Sequence, residues 1–365
     1  MDMLEYIKWR GDLTFEEREL NEIDSLIFST LCYEDFDEIF DEDDSYTIDE
    51  LAEIFFASYR IEDLKKRVNF SSRSYELLKA MKYTKRYGSL IVSHYINEID
   101  HECDLQFSAF TIEYKDKWKY IAFRGTDDTI VGWKEDFSMI YRKEVLAQRK
   151  AKEYLEMICK ETGIYKLFPK YEYYVGGHSK GGNLAMYASV LADNHIQKRI
   201  KRIDNFDGPG FEDEIWEMDS MNHVIDRINT YIPSSSLFGR LFTHKEKVTV
   251  VLSEQIGLLQ HSGMTWKVDV DHFQYSDKVS EGSDKAVEKM NLLIKEIDYD
   301  EREELVESLF TIFDNLNIYT LNDITKINFN TVLTALKELS VLNNKERKVL
   351  LEILRVVWDI TDIGV

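Results

Sequence analysis

YYVGGHSKGGNLAMYA, residues 173–188, decides the reading of this chain. It runs from an aromatic and β-branched half, the composition of a strand, through two pairs of glycines into an alanine-rich, helix-forming half. At the junction stands Gly177-His178-Ser179-Lys180-Gly181, a G-x-S-x-G pattern. That pattern has meaning where a strand precedes it and a helix follows. A sharp strand-to-helix turn forces the serine into a strained backbone conformation, while Gly177 and Gly181 let strand and helix approach closely. The hydroxyl is then held out beside a helix N-terminus, whose N–H groups favour developing negative charge. A phosphate loop of the G-x4-G-K-[ST] kind is excluded, because no Gly-Lys-Ser or Gly-Lys-Thr occurs.

A serine that accepts an acyl group needs oxyanion donors, a base, and an acid that orients the base. Upstream, YIAFRGTDDTIVGWKEDFSM (120–139) ends an apolar strand in Arg124-Gly125-Thr126. The Thr126 backbone N–H is one candidate oxyanion donor, the Lys180 N–H is the second, and Asp136 is placed to fix the loop by accepting a bond from Thr126. Among eight histidines, His261 is the candidate base, since KVTVVLSEQIGLLQHSGMTWKV (247–268) sets it in a loop after a strand. His272 is next in order; His244 precedes that strand, and His178 adjoins the serine but points away from its hydroxyl. His94, His101, His195 and His223 read as surface or core residues. The candidate acid is Asp207 in NFDGPGF (205–211), at the end of the strand at 201–206. The alternatives are another carboxylate, or a histidine working through water or a backbone carbonyl. Lys180 either receives an anionic group of the substrate or pairs with Asp128, Glu135 or Asp136 and ties the loops together.

Working outward, residues 14–31 place Leu20, Ile23, Ile27 and Leu31 on one helical face behind a cap at Thr14 with Glu17. Further helices are expected at 47–57 and 73–84, and the acidic run at 33–50 reads as a solvated loop, lacking the spacing of a calcium site. From residue 88, SLIVSHYINEID, LQFSAFTIEYKD and KWKYIAFRGT read as strands. A helix at 145–160 then alternates with strands at 171–176, 201–206, 225–232 and 247–253 and the helix at 181–193. The expected fold is α/β, a mostly parallel sheet flanked by helices. It divides into an N-terminal mainly helical segment (1–87), a core (88–282) and a C-terminal helical extension (283–365). In the extension, Leu305, Leu309, Phe313 and Leu316 form one stripe and Leu350, Leu354 and Trp358 another. These helices either pack on themselves and the body or offer a surface to a protein partner.

The chain is 44% hydrophobic, enough for a large core, and its net charge of −22 opposes nucleic acid and anionic membrane surfaces. No apolar run reaches the roughly 18 residues of a membrane helix, and the N-terminus has no signal core, so a cytoplasmic protein without stable membrane insertion is expected. Three widely spaced cysteines, Cys32, Cys103 and Cys159, read as small buried hydrophobes and hold no metal.

The paired blocks IAFRGTDDTIVGWKED and VGGHSKGGNLAMYA resemble those of class 3 lipases, α/β hydrolases of the fungal triacylglycerol-lipase type. More closely, EYIKWRGDLTFEERELNEID, FRGTDDTIVGWKEDF, GGHSKGGNLA and INTYIPSSSLFG are similar to a bacterial family known as a domain of unknown function and expected to be α/β hydrolases. This resemblance covers residues 3–285. It implies an α/β-hydrolase fold, a serine esterase or lipase-like activity on a small-molecule acyl ester or lipid, and no cofactor. One departure stands out: where class 3 lipases carry an aspartate after the strand here ending in RINTYIPSSS, this chain has Ser234, Ser235 and Ser236. That departure keeps open a second reading, a hydrolase-like scaffold without catalysis that binds a partner.

Overall fold

Residues 118–123, Trp-Lys-Tyr-Ile-Ala-Phe, show how the sheet is built. Tyr120 and Ala122 enter one hydrophobic core and Ile121 and Phe123 the other, all four fully buried. A strand buried on both faces has no solvent side, so its apolar residues run together instead of alternating with polar ones.

In the computed structural model, residues 1–65, 73–100, 102–127, 130–160, 171–318 and 347–348 are described. The strands are β1 (Ser45–Thr47), β2 (Ile91–Asp100), β3 (Leu105–Tyr114), β4 (Trp118–Phe123), β5 (Glu172–His178), β6 (Ile200–Phe206), β7 (Ile228–Pro233), β8 (Lys247–Val251), β9 (Val268–Asp269), β10 (His272–Phe273) and β11 (Tyr275–Ser276). The helices are α1 (Met3–Arg10), α2 (Glu22–Leu31), α3 (Ile48–Ser58), α4 (Ile61–Leu64), α5 (Ser74–Met81), α6 (Ile130–Ser138), α7 (Leu146–Cys159), α8 (Lys180–Leu191), α9 (Asn194–Gln197), α10 (Asp213–Trp216), α11 (Glu281–Glu296) and α12 (Tyr299–Asn315).

Nine strands form one sheet in the order β1-β2-β3-β4-β5-β6-β7-β8-β11. From β4 to β8 every neighbour is parallel, while β1 to β4 and the closing β11 pair antiparallel. The centre is therefore the expected parallel α/β sheet, extended by an antiparallel flank. Helices α7 and α8 cover one face through Leu155, Leu184 and Met186; α1, α2, α3 and α5 cover the other through Ile7, Phe28, Leu51 and Leu78. Each of these buried side chains contributes roughly 1.5–3 kcal/mol relative to exposure. The first 87 residues supply a strand and one whole layer.

Three local expectations change. The helix expected from Thr14 begins at Glu22, capped by Asn21, whose side chain accepts from Ile23 and Asp24 N–H. Thr14 and Glu17 do make their reciprocal bonds, but on a turn. The reason is Arg86, whose buried guanidinium pairs with Asp24 and donates to the carbonyls of Arg18 and Glu19 at 2.9 and 3.1 Å, so the single helical bond from Arg18 N–H to Thr14 O is not continued. The acidic run at 33–50 is more than a solvated loop: Phe36, Ile39 and Glu34 are buried, and its end pairs with β2 as β1. Of the cysteines, Cys32 and Cys159 are buried and Cys103 is exposed, and burial pushes the Cys32 thiol up to about 12.

Helix α12 places Leu305, Leu309 and Phe313 inward, with Leu316 half-buried, and packs on α6 with Phe310 edge-on to Phe137 at 5.9 Å. Most of the extension beyond residue 318, with the stripe of Leu350, Leu354 and Trp358, lies outside the described residues. Among the described residues, no helix is long and apolar enough to cross a membrane.

Candidate active site

Ser179 stands between the last residue of β5 and the first of α8 with φ 58° and ψ −133°, a left-handed conformation that costs a non-glycine residue about 1–3 kcal/mol. The turn is held by Ser179 N–H donating to Phe206 O at 2.8 Å and Gly182 N–H to Ser179 O at 2.9 Å. Gly177 and Gly181 are needed for closeness: a Cβ on Gly177 would overlap the backbone of Gly181, and one on Gly181 would overlap the Phe123 carbonyl.

At the end of β6, Asp207 also takes a left-handed turn, φ 54°, and turns a fully buried carboxylate toward His261. His261 Nδ1 lies 2.6 Å from Asp207 Oδ2. The other oxygen, Oδ1, accepts from the Ser236 hydroxyl and, at 3.2 Å, from Gly239 N–H. Three polar groups thus converge on one carboxylate and fix its orientation. Ser234 Oγ and Ser235 N–H both donate to Gln260 Oε1, at 3.2 and 3.0 Å, and Trp266 Nε1 donates to Gln260 O at 2.8 Å. The three serines therefore brace the Asp207–His261 pair from both sides.

The expected oxyanion loop reaches the same place. Gly125 packs against the His178 carbonyl and Ser179 Cβ, so Thr126 is one residue from the elbow. Lys180 is the first residue of α8, so its backbone N–H has no partner four residues back within the helix. Thr126 Oγ1 donates to Asp136 Oδ2 at 2.5 Å.

Lys180 does not face outward. Its ammonium is buried, donating to Glu135 Oε2 at 2.7 Å and Gln106 O at 2.9 Å, with Asp136 Oδ1 at 3.8 Å. Glu135 in turn accepts from Gln106 N–H at 3.2 Å and Ala147 N–H at 3.0 Å. Of the two roles open to Lys180, the geometry fits the tie between loops; Asp128 lies outside the described residues. Lys180→Met leaves the Glu135 carboxylate buried without its cation and is expected to destabilise the fold by about 3 kcal/mol. The urea midpoint measures this, and an unchanged midpoint would contradict the tie.

Burial pushes the Asp136 carboxyl up to about 6, against the pull of Lys180 and the Thr126 hydroxyl. An acid whose pKa is raised on folding holds its proton longer in the folded state, so its contribution to stability is complete below about pH 4 and is lost as pH rises toward 6. Asp136→Asn is therefore expected to remove a falling segment of the stability profile between about pH 4 and 6. Parallel profiles for variant and wild type would count against it.

Three other described histidines have partners of their own. His244 bonds Glu246 at 2.7 Å, His272 the Phe273 carbonyl at 2.8 Å and His223 the Gln197 side chain at 3.0 Å. A cavity of about 450 Å³ among Met139, Gln148, Asn183, Tyr187, Phe211 and Arg302 has none of Ser179, Asp207 or His261 in its lining. Among the described residues, no group of three His, Cys, Asp or Glu side chains could hold a metal ion.

A parallel sheet with helices on both faces and a serine on a left-handed turn between strand and helix makes this an α/β-hydrolase fold. Residues 81–311 match the model of the Mbeg1-like family, and the chain belongs to that family. No curated protein matches the chain. Among solved structures, M37 lipase is similar at 14% identity over 59% of this chain and 68% of its own, TM-score 0.35. A fungal lipase–inhibitor complex is similar at 15% identity over 56% and 77%, TM-score 0.37, and the Rhizomucor miehei lipase propeptide complex at 16% over 55% and 65%, TM-score 0.36. At such scores the fold assignment rests on the strand order and the elbow.

Proposed function

We propose that this protein is a serine hydrolase that cleaves a carboxylic ester through an acyl-enzyme on Ser179. The observation that carries the reading is the 2.6 Å contact between His261 Nδ1 and Asp207 Oδ2 beside the strained serine. With Nδ1–H donating to the carboxylate, Nε2 keeps its lone pair and serves as the base. In this scheme Nε2 takes the Ser179 proton as the oxygen attacks the ester carbon, and the N–H groups of Thr126 and Lys180 receive the oxyanion. His261 then gives the proton to the leaving alcohol, and water repeats the sequence to free the acid.

An apolar acyl chain fits the surroundings. Phe238 lies 4.6 Å from the His261 ring, Trp133 meets Phe238 edge-on at 5.9 Å, and Ile256 and Leu259 stand exposed on the loop leading to His261. A lipid-like ester would lay its chain along this strip. The buried pairing of Lys180 removes the argument for an acidic acyl group. A cytoplasmic setting accords with the free thiols of Cys32 and Cys103.

The scaffold reading drew on the triple serine, and the bond from Ser236 to Asp207 gives those residues a part in the site instead. A fluorophosphonate probe tests the choice. Covalent attachment should map to Ser179 by peptide mass; an unreactive protein would turn the reading back to a binding module.

A further inference from the structure

Tyr33 lies just beyond the end of α2, outside the span matched by the family model, yet its hydroxyl reaches the elbow. Its Oη is 2.9 Å from His178 Nδ1 and 3.3 Å from the His178 carbonyl oxygen, and it packs against Gly125 of the oxyanion loop. On the far edge of the same ring, His178 Nε2 lies 2.6 Å from the carbonyl oxygen of His261.

A carbonyl oxygen only accepts, so His178 Nε2 carries a proton. Burial, with His261 beside it, pushes His178 down to about 3, so the ring is neutral and Nδ1 bears a lone pair. The Tyr33 hydroxyl therefore donates to Nδ1. One tautomer satisfies both contacts, whereas the other would set a lone pair against the His261 carbonyl and a proton against the phenol. The phenol is held from below, because α2 is anchored by Ser25 and Ser29 on the Tyr120 hydroxyl, at 2.7 and 2.8 Å, and by Asp24 on Arg86.

We propose that Tyr33 is a positioning residue for the candidate base: it fixes the His178 tautomer, and His178 fixes the backbone of His261, while Asp207 holds the imidazole. The N-terminal segment thereby sets the geometry of a site whose nucleophile and acid lie in the central sheet. The catalytic consequence rests on the serine-hydrolase reading; the structural coupling does not.

Tyr33→Phe in the full chain removes one oxygen. In protein with ¹⁵N-labelled histidines, NMR should show His178 leaving its single Nε2–H tautomer and the Asp207-bonded Nδ1–H resonance of His261 shifting. Fluorophosphonate labelling should slow about tenfold, the effect of one lost neutral hydrogen bond, with the acid limb of its pH profile displaced. In a His178→Gln background the Tyr33→Phe effect should vanish, since the residue that passes it on is gone. Unchanged His178 and His261 signals, or additive effects in the double variant, would overturn the proposal. If Tyr33→Phe does not fold, wild type alone decides: a His178 ring protonated at Nδ1 between about pH 5 and 8 refutes the relay. If wild type resists labelling, the hydrolase reading fails while the NMR comparison still judges the coupling.

Discussion

Ser179→Ala is expected to abolish fluorophosphonate labelling and to lower ester hydrolysis by about 10⁶-fold. The size follows from the site. No other hydroxyl shares the left-handed turn, and those of Ser234, Ser235 and Ser236 are engaged with Gln260, the Ser280 hydroxyl and Asp207 respectively. His261→Ala should cost about as much, because a serine without its base is as idle as a base without its serine, and the double variant should be no worse than either single one. Alanine also relieves nothing in the backbone, since φ stays positive with a Cβ present, so the loss should come in kcat with the fold retained. Single-turnover hydrolysis of a chromogenic acyl ester measures it. Residual activity within tenfold of wild type would remove Ser179 from the chemistry.

The strand–helix order of the centre was legible because two-sided burial writes itself as short apolar runs separated by polar turns. Trp118–Phe123 and Glu172–His178 stand close to where the pattern puts them. Less legible was anything decided by a distant partner. The cap signature at Thr14 and Glu17 is genuine, but Arg86, about 70 residues away in sequence, claims the carbonyls of Arg18 and Glu19. The opposite miss is α1, whose signal lay in view: Asp2 and Glu5 form a capping box at its start. Helix α6 lies within the FRGT block and is only nine residues long, too short for a clear helical period.

The candidate site divides the same way. Ser179, Thr126 and Asp136 belong to compact motifs and could be placed from local sequence. Tyr33 could not, since its bond to His178 spans 145 residues and a lone tyrosine after a helix carries no signal. The part of the triple serine is hidden for a related reason: the local sequence shows only that no carboxylate stands at that point. In the fold that loop folds over the end of β6, so its third hydroxyl meets a carboxylate arriving from the neighbouring strand. On the proposed reading the orienting acid therefore sits at the end of the neighbouring strand and still faces the His261 imidazole.

Asp207→Asn tests that placement, with an expected loss of about 10⁴-fold in kcat. The asparagine fits the same space, so the cause is electronic and directional. Ser236 and Gly239 both donate to Oδ1, which obliges the amide to keep its oxygen there and to turn its NH₂ toward His261. An NH₂ only donates, so Nδ1 would have to accept and the imidazole proton would move to Nε2, the atom meant to take the serine proton. The loss should therefore be large although Ser179 and His261 are both present, and the imidazolium formed during attack would also lack its counter-charge. Raising the pH should recover part of the rate, because hydroxide can deprotonate the serine when the histidine no longer does. Ser236→Ala, which removes one of the donors on the carboxylate, should cost only about tenfold. An Asp207→Asn enzyme within tenfold of wild type at neutral pH would show that the orienting acid lies elsewhere.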